Sequence, residues 1–263
     1  QAYPALLPRL RHAVESLEAY GIKTLDGGSR LELLEQIDHG TVIFTAHGVS
    51  PQVKARAREK GLRYFDATCP DVTRTHDLVR ELVADGYEIL YIGKKGHPEP
   101  EGVMGEAPGH VHLIEDRADL DALQLPQTER LAVVTQTTLS QWDTAQLIEA
   151  IRQRFPQVRV YNEICLATQL RQEAAVAQSR EADLVLVVGD RRSNNSNRLV
   201  QVVREIAGKP AYLIDSVKEI DPAWLRGVRK VAVTAGSSTP SHLTREVIQF
   251  LEALEPEEVP ASS

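Results

Sequence analysis

The two cysteines of the chain occupy similar positions. Cys69 lies in the segment FDATCP at 65–70 and Cys165 in the segment NEICLATQ at 162–169, each in a polar turn just before an amphipathic helical pattern. The positive end of a helix dipole stabilises a thiolate at such a position. Two such cysteines therefore indicate metal ligation or nucleophilic chemistry. The competing interpretation is a pair of small buried hydrophobic side chains.

Histidines and one carboxylate form a second group of candidates. His47 lies in a Thr-Ala-His-Gly turn, where the glycine allows close approach of a ligand and the imidazole can donate to an anion. In the segment GHPEPEG at 96–102, a proline-fixed turn holds His97 and Glu99 at a set spacing. That arrangement suits anion binding beside general-acid chemistry. A solvated turn histidine and a charged surface loop are the alternatives. The other histidines are predicted to be structural: His12, His39, His76, His110, His112 and His242.

Two polar loops follow apolar runs and precede helical patterns. They are the segment SNNSN at 193–197 and the segment GSSTP at 236–240. Their amides and hydroxyls converge with the free N–H groups of a helix start, which is the chemistry of an anion site without lysine. Either loop alone is also explained by helix capping, but both in one chain favour a phosphate or diphosphate ligand. The hydroxyls at 135–138 would extend this site.

The elements around these loops predict an α/β protein. Short apolar runs predict strands at 41–44, 88–92, 131–134, 183–188 and 230–233, and helical patterns cover 71–85, 140–154, 169–180, 194–207 and 240–254. Continuous apolar strands imply parallel sheets covered by helices on both faces. Open sheets of this kind bind ligands at the loops after the carboxyl ends of their strands. The repeated strand-loop-helix unit predicts about three small lobes around a shared centre.

Composition narrows the classes of protein. The chain has 263 residues, 42% of them hydrophobic, and its apolar runs are too short to span a bilayer, so no membrane partner is expected. A net charge of −7 argues against nucleic-acid binding. Two cysteines and the lack of a leader pattern favour a reducing, cytoplasmic location rather than a disulfide framework. The glycine pattern matches neither a dinucleotide fingerprint nor a P-loop. A Glu/Pro/Ser-rich tail at 255–263 is expected to be disordered.

The motifs together resemble a known enzyme family. They are AHGVS at 46–50, DATCP at 66–70, GHPE at 96–99, TQTTLS at 135–140, SNNSNRL at 193–199 and TAGSSTP at 234–240. In order and spacing, from about Val14 to Leu254, they resemble the 4-hydroxy-3-methylbut-2-enyl diphosphate reductases, the LytB family. The resemblance implies a trefoil of three α/β lobes with parallel sheets around a central cavity. The corresponding lobes here would be 1–68, N-terminally incomplete, then 69–162 and 163–254.

The resemblance also implies a role for each candidate residue. The family holds a [4Fe–4S] cluster with three cysteines, and Cys69 and Cys165 match the second and third of these ligands. Glu99 matches the proton donor, and Thr137 matches a threonine that hydrogen-bonds near the substrate hydroxyl. The residues that match the diphosphate-binding set are His47, His97, Ser193, Asn195 and Ser238. Asn194 stands where some members have serine, and we expect it to act through its backbone.

The implied reaction converts 4-hydroxy-3-methylbut-2-enyl diphosphate to isopentenyl and dimethylallyl diphosphate, with electrons from a small ferredoxin or flavodoxin. The family's Gly-Phe-Cys turn, which supplies the first ligand, and its His-Asn pair are not found; Arg9 and Leu10 stand where that pair would be. A cluster held by two protein thiolates is expected to be labile. One alternative is therefore a cluster-free diphosphate-binding protein of the same fold, and another is an enzyme that uses Cys69 as a nucleophile with His47.

Overall fold

The computed structural model describes residues 3–6, 18, 20–25, 27–125 and 130–254. The tail at 255–263 and the positions of Arg9 and Leu10 lie outside these ranges. The chain divides into two compact units, one extending to Arg171 and the other continuing from Gln172.

The first unit contains two parallel sheets of four strands each. The first sheet is formed by β1 (Tyr3–Leu6), β2 (Ile22–Thr24), β3 (Thr41–Phe44) and β4 (Arg63–Asp66), in the order β2-β1-β3-β4. The second sheet is formed by β5 (Glu88–Ile92), β6 (Val111–Ile114), β7 (Leu131–Thr135) and β8 (Arg159–Tyr161), in the order β6-β5-β7-β8. The two sheets therefore share one topology.

Helices connect these strands. Those before β5 are α1 (Arg30–Glu35), α2 (Pro51–Glu59) and α3 (Pro70–Ala84). Those after β5 are α4 (Pro98–Met104), α5 (Arg117–Ala122) and α6 (Gln141–Arg154). Helix α7 (Leu166–Arg180) follows β8, and its residues are divided between the two units. None of the helices in the described ranges has the length and apolar character that crossing a membrane requires.

The second unit has a third parallel sheet. Its strands are β9 (Leu184–Val188), β10 (Ala211–Ile214) and β11 (Val231–Ala235), in the order β10-β9-β11. Helix α8 (Asn194–Ile206) follows β9, and α9 (Ser241–Glu252) follows β11. Two short 3₁₀ segments, Val217–Glu219 and Pro222–Leu225, lie between β10 and β11.

Alternate residues of the central strands pack into different cores. In β5, Ile89 and Tyr91 belong to one buried cluster and Leu90 and Ile92 to another. In β9, Val185 and Val187 belong to one buried cluster, and Leu184, Leu186 and Val188 belong to another. Burial on both faces explains why these strands are continuous apolar runs. The predicted α/β class with three parallel sheets is confirmed, whereas the lobe boundaries at 1–68, 69–162 and 163–254 remain predictions.

One local prediction was wrong. The segment around Glu99 was expected to be a turn fixed by proline, but it forms the short helix α4, with Pro98 at its first position. Proline is favoured there because its missing N–H would have no helical partner in any case. The consequence is that Glu99 projects from a regular helix immediately after the His97 cap.

Candidate functional site

The predicted site residues of the first unit all follow the carboxyl end of a strand. His47 follows β3, Cys69 follows β4, His97 follows β5, Thr137 follows β7 and Cys165 follows β8. Within each of the two parallel sheets these strand ends lie at one edge, where ligand sites of α/β proteins form. Topology thus accounts for the placement of residues that are far apart in sequence.

Glu99 is fully buried and held by Thr137. The Thr137 amide donates to Oε1 at 2.7 Å, and its hydroxyl donates to Oε2 at 3.0 Å. Burial raises the pKa of Glu99 from 4.5 to about 7, although the bonds from Thr137 and an interaction with Tyr91 oppose the rise. A carboxyl group with this pKa can either hold or release a proton near neutral pH.

Tyr91 is a site residue that the sequence analysis missed. Its hydroxyl is buried and forms no well-aligned hydrogen bond with a described residue, yet it interacts with Glu99. Burial raises the Tyr91 pKa well above 10, and the charge of Glu99 adds to the rise. The signal was a single hydroxyl in the apolar run at 89–92 of β5, since a buried tyrosine normally needs a polar partner.

His47 and His97 lie against each other beside Glu99. Their ring centroids are 4.7 Å apart at an interplanar angle of 76°. One ligand atom from each histidine and from Glu99 all lie within 4.8 Å of one another, a spacing that can surround a small ion or a polar atom of a ligand. Burial lowers the pKa of His47 to about 4 and that of His97 to about 3. Both imidazoles are therefore neutral near pH 7.

Positive charge also lowers the pKa of these histidines. After burial, Arg30 contributes to the low pKa of His47, and His47, Arg30 and Lys94 contribute to that of His97. Arg30 opens helix α1, and its amide donates to Glu101 Oε1 of α4 at 2.8 Å. The sequence analysis missed Arg30, which no motif marks. Its charge favours an anion next to the two rings.

Both cysteines are free thiols at the entrance of a helix. Cys69 is the N-cap residue of α3, and its amide donates to the Ala46 carbonyl, next to His47, at 3.0 Å. The amide of Cys165 donates to the Thr137 carbonyl at 3.1 Å, and its Sγ lies 3.1 Å from Thr168 Oγ1. Each cysteine turn is thus bonded to a loop that carries a pocket residue. Unpaired, partly exposed thiols of this kind suit iron–sulfur ligation, and the chain contributes two of them.

The second unit carries the polar loops at 193–197 and 236–240. Ser193 caps α8 by accepting from the Ser196 amide at 3.3 Å, and Asn195 Nδ2 donates to Ser237 Oγ at 3.4 Å. Asn195 is buried, whereas Ser238 is exposed. Two side-chain atoms here, Asn194 Nδ2 and Ser196 Oγ, are buried without a partner among the described residues.

Glycines make room for Ser196. A methyl group added at Gly189 would lie 2.3 Å from Ser196 Oγ, and one added at Gly236 would lie 2.2 Å from it. Both glycines directly follow a strand, so each loop passes close to the start of α8. Unsatisfied donors beside the free N–H groups of a helix N-terminus form an arrangement that binds anions.

Matched hydrogen bonds show that the second and third sheets repeat one plan. Gly93 N donates to Ile114 O at 3.1 Å, and Gly189 N donates to Ile214 O at 2.8 Å. One strand later, Gln136 N donates to Ile92 O at 2.8 Å, and Gly236 N donates to Val188 O at 3.0 Å. Counting from these positions makes Glu99 equivalent to Asn195 and Thr137 equivalent to Ser237. In each copy the second residue of a helix is hydrogen-bonded to the loop that follows a strand of the same sheet, Glu99 to Thr137 and Asn195 to Ser237.

Comparison with known proteins identifies the family. A model of the LytB protein family matches residues 8–252. The chain belongs to this family. A curated 4-hydroxy-3-methylbut-2-enyl diphosphate reductase of Symbiobacterium thermophilum is 69% identical over 242 residues, which cover 92% of this chain and 82% of that protein. The reductase of Brevibacillus brevis is 64% identical, with 92% of this chain and 77% of that protein covered.

Solved structures of LytB relatives agree with the fold. The structure of the E-1-hydroxy-2-methyl-but-2-enyl-4-diphosphate reductase from Plasmodium falciparum has a TM-score of 0.88 at 32% identity and covers 100% of this chain and 85% of that chain. A second reductase, described as the terminal enzyme of the non-mevalonate pathway, has a TM-score of 0.65 at 31% identity, covering 97% and 89%. The predicted family and the prediction of a reductase-family enzyme are confirmed.

Proposed function

We propose that this chain is a 4-hydroxy-3-methylbut-2-enyl diphosphate reductase that forms isopentenyl and dimethylallyl diphosphate in the cytoplasm. The observation that carries the proposal is Glu99, a fully buried carboxyl group with a pKa of about 7 beside two neutral histidines. Relatives with 57% to 69% identity all carry the name of this reductase, which supports the same substrate here.

Glu99 acts as the proton source. Loss of the allylic hydroxyl as water requires a proton at the leaving oxygen, and a group with a pKa near the working pH transfers it efficiently. Thr137 fixes both carboxyl oxygens, so the carboxyl plane is set before substrate enters. The Thr137 hydroxyl donates its proton to Oε2, and its oxygen can still accept a hydrogen bond from the substrate hydroxyl and so orient it.

His97 binds the diphosphate as a neutral donor. The Glu99 amide donates to His97 Nδ1 at 3.2 Å, so the proton of the neutral ring lies on Nε2. An Nε2–H group donates to a phosphate oxygen without requiring a charged imidazolium. His47, Ser193, Asn195 and Ser238 complete the diphosphate-binding set, and the backbone at Asn194 contributes an N–H group. Neutral donors are compatible with the chain's net charge of −7.

Cys69 and Cys165 would hold a [4Fe–4S] cluster. When bound, the cluster would supply electrons and a Lewis-acidic iron for the hydroxyl group. The protein's contribution is orientation, because each cysteine turn is hydrogen-bonded to a loop that carries a pocket residue. A ferredoxin or flavodoxin would supply the electrons.

A second candidate function keeps the fold and the anion-binding groups without a cluster. It is a protein that binds a diphosphate through the same histidines and polar loops, where Asn194 Nδ2 and Ser196 Oγ are buried without a partner among the described residues.

Anaerobic reconstitution distinguishes the two functions. The protein is loaded with iron and sulfide, the iron is counted, and conversion of 4-hydroxy-3-methylbut-2-enyl diphosphate is followed with a reduced viologen dye as electron donor. In a version of the protein that also carries the family's Gly-Phe-Cys segment, we expect cluster uptake and turnover. There we expect Glu99→Gln to keep the iron while losing about two to four orders of magnitude in rate. Diphosphate binding without iron uptake or turnover supports the cluster-free protein instead. A Glu99→Gln rate within a few-fold of the parent would make the carboxyl structural.

A further inference from the structure

His76 is a buried histidine that the proposed reaction does not use. It lies on α3, two helical turns after Cys69, and is 6% exposed. The sequence analysis predicted a structural role for it. Its surroundings connect it to three elements of the site.

One edge of the imidazole is anchored by a carboxylate. His76 Nδ1 lies 2.7 Å from Glu106 Oε1, and Arg80 donates to Glu106 Oε2 at 3.0 Å. Burial opposes ionisation of Glu106, but the bonds from His76 and Arg80 outweigh it and lower the Glu106 pKa. Glu106 is therefore an ionised acceptor, which places a proton on His76 Nδ1 and fixes the orientation of the ring.

The opposite edge of the ring lies between two glycines. A methyl group on Gly48 would lie 3.2 Å from His76 Nε2, and one on Gly102 would lie 3.1 Å from Cε1 and 3.3 Å from Nε2. Gly48 has a φ of +74° and directly follows His47. Gly102 lies three residues after Glu99 on α4. His76 Nε2 is buried and has no hydrogen-bond partner among the described residues.

The same contacts show that the His47 turn packs on α4. A methyl group on Gly102 would also lie 3.6 Å from the backbone carbonyl carbon of Val49. The imidazole edge therefore fills the space where this turn, α4 and α3 meet. Since protein interiors are closely packed, the thickness of the ring determines how far apart these elements lie.

We propose that His76 is a positioning residue that sets the spacing between the His47 turn and the Glu99 helix. This inference rests on the proposed function. It accounts for the glycine at position 102, which has no positive φ that would require one, and for the ionised carboxylate that anchors the ring from behind. A displacement of about 1 Å between reacting groups can cost about a hundredfold in rate, so the packing of this ring affects the chemistry without touching substrate.

The first test measures the surroundings of the site histidines and does not require an active protein. Nitrogen-15-labelled histidine spectra of the cluster-free protein report the ring nitrogens of His47 and His97. His76→Asn keeps a donor towards Glu106 but removes the ring edge against Gly48 and Gly102, and we expect it to shift the signals of both rings. His110→Asn is the matched control, because His110 Nδ1 also lies 2.7 Å from a buried glutamate, Glu88.

The second test is turnover per cluster in the reconstituted protein. We expect His76→Asn and Gly102→Ala each to lower turnover per cluster at least tenfold. The double variant should turn over faster than either single variant, because the methyl group of Ala at position 102 fills part of the space that the ring vacates. Unchanged histidine signals, or turnover per cluster within twofold of the parent for His76→Asn, would overturn the positioning role. A double variant whose loss of turnover is the product of the two single losses would also contradict the positioning role, because the two sites would then be independent. If the parent itself shows no turnover, the proposed function fails, and the spectra alone decide the role of His76.

Discussion

Cys165 and Thr137 are joined through their backbones, since the Cys165 amide donates to the Thr137 carbonyl oxygen at 3.1 Å. Thr137 in turn donates to Glu99 through both its amide and its hydroxyl. One threonine therefore couples the position of a thiol to that of the buried carboxyl. Substitutions at Thr137 separate the contribution of its hydroxyl from that of its backbone.

Thr137→Val should raise the pKa of Glu99 above its present value of about 7. The hydroxyl bond at 3.0 Å stabilises the ionised carboxylate, and valine removes it while keeping the backbone bond. A bond to a charged group contributes about 1.5–3 kcal/mol, which corresponds to a rise of about one to two pKa units. The pH dependence of turnover measures the change. Thr137→Ser keeps the hydroxyl and should leave the profile in place; equal profiles for the serine and valine variants would contradict the assignment.

Glu99→Gln should change how stability depends on pH. The pKa of Glu99 is about 7 in the folded state against 4.5 when unperturbed, so the folded protein binds more protons between these values and its free energy of unfolding falls as pH rises. The rise in pKa corresponds to about 3 kcal/mol. Glutamine cannot ionise, so the variant should lose about 3 kcal/mol less than the parent between pH 4.5 and 8.

Urea unfolding of the cluster-free protein measures this difference. His47 and His97 have folded pKa values of about 4 and 3, below the usual 6.5, so their contribution to stability is lost as pH falls below 6.5. That contribution is the same in both proteins and cancels in the comparison. If the free energies of unfolding of the parent and of Glu99→Gln change with pH in the same way, the pKa of Glu99 is not raised by burial.

Cys69→Ser and Cys165→Ser should each abolish cluster retention while leaving the fold intact. Both thiols are partly exposed at helix entrances, so neither contributes a large share of a core. Iron content after anaerobic reconstitution tests this, with circular dichroism as the check on folding. Thr168→Val is a control beside Cys165, because it removes a hydroxyl 3.1 Å from Sγ and keeps the thiol. Iron retention by both serine variants would exclude the cysteines as ligands.

Asn195→Ala and Ser238→Ala should each weaken diphosphate binding by about 1–3 kcal/mol, the cost of removing a hydrogen-bond partner from a bound anion. Calorimetry with isopentenyl diphosphate measures the affinity. Gln201→Ala, further along α8, is the control, since Gln201 bonds to Glu205 on the same helix. If both alanine variants bind as tightly as the parent, the two loops serve only as helix caps.

Apolar runs were enough to predict five strands, which correspond to β3, β5, β7, β9 and β11. The strands at 41–44 and 88–92 match β3 and β5, and the helix at 194–207 matches α8 within one residue. Short strands such as β8 (Arg159–Tyr161) were missed, because three partly exposed residues carry no clear pattern. The loops after strand ends could be predicted because parallel topology places ligands there.

The surroundings of the site could not be predicted in the same way. Arg30, Tyr91 and His76 act through neighbours that are distant in sequence, so no local spacing marks them. The pKa of Glu99 is likewise set by complete burial, which depends on the packing of several elements rather than on the motif around it. The placement of His47, His97 and Thr137 next to Glu99 agrees with the resemblance, while their roles in the reaction remain predictions.

The matched hydrogen bonds of the second and third sheets separate the frame of a site from its chemistry. In one copy of this strand-loop-helix arrangement a carboxyl group, Glu99, bonds to Thr137 of the facing loop, and in the other an amide, Asn195, bonds to Ser237. The two copies differ in the side chains at these equivalent positions, while the backbone hydrogen bonds around them are the same. A substitution at one of these positions therefore changes the polar chemistry of one copy without changing the frame that positions it.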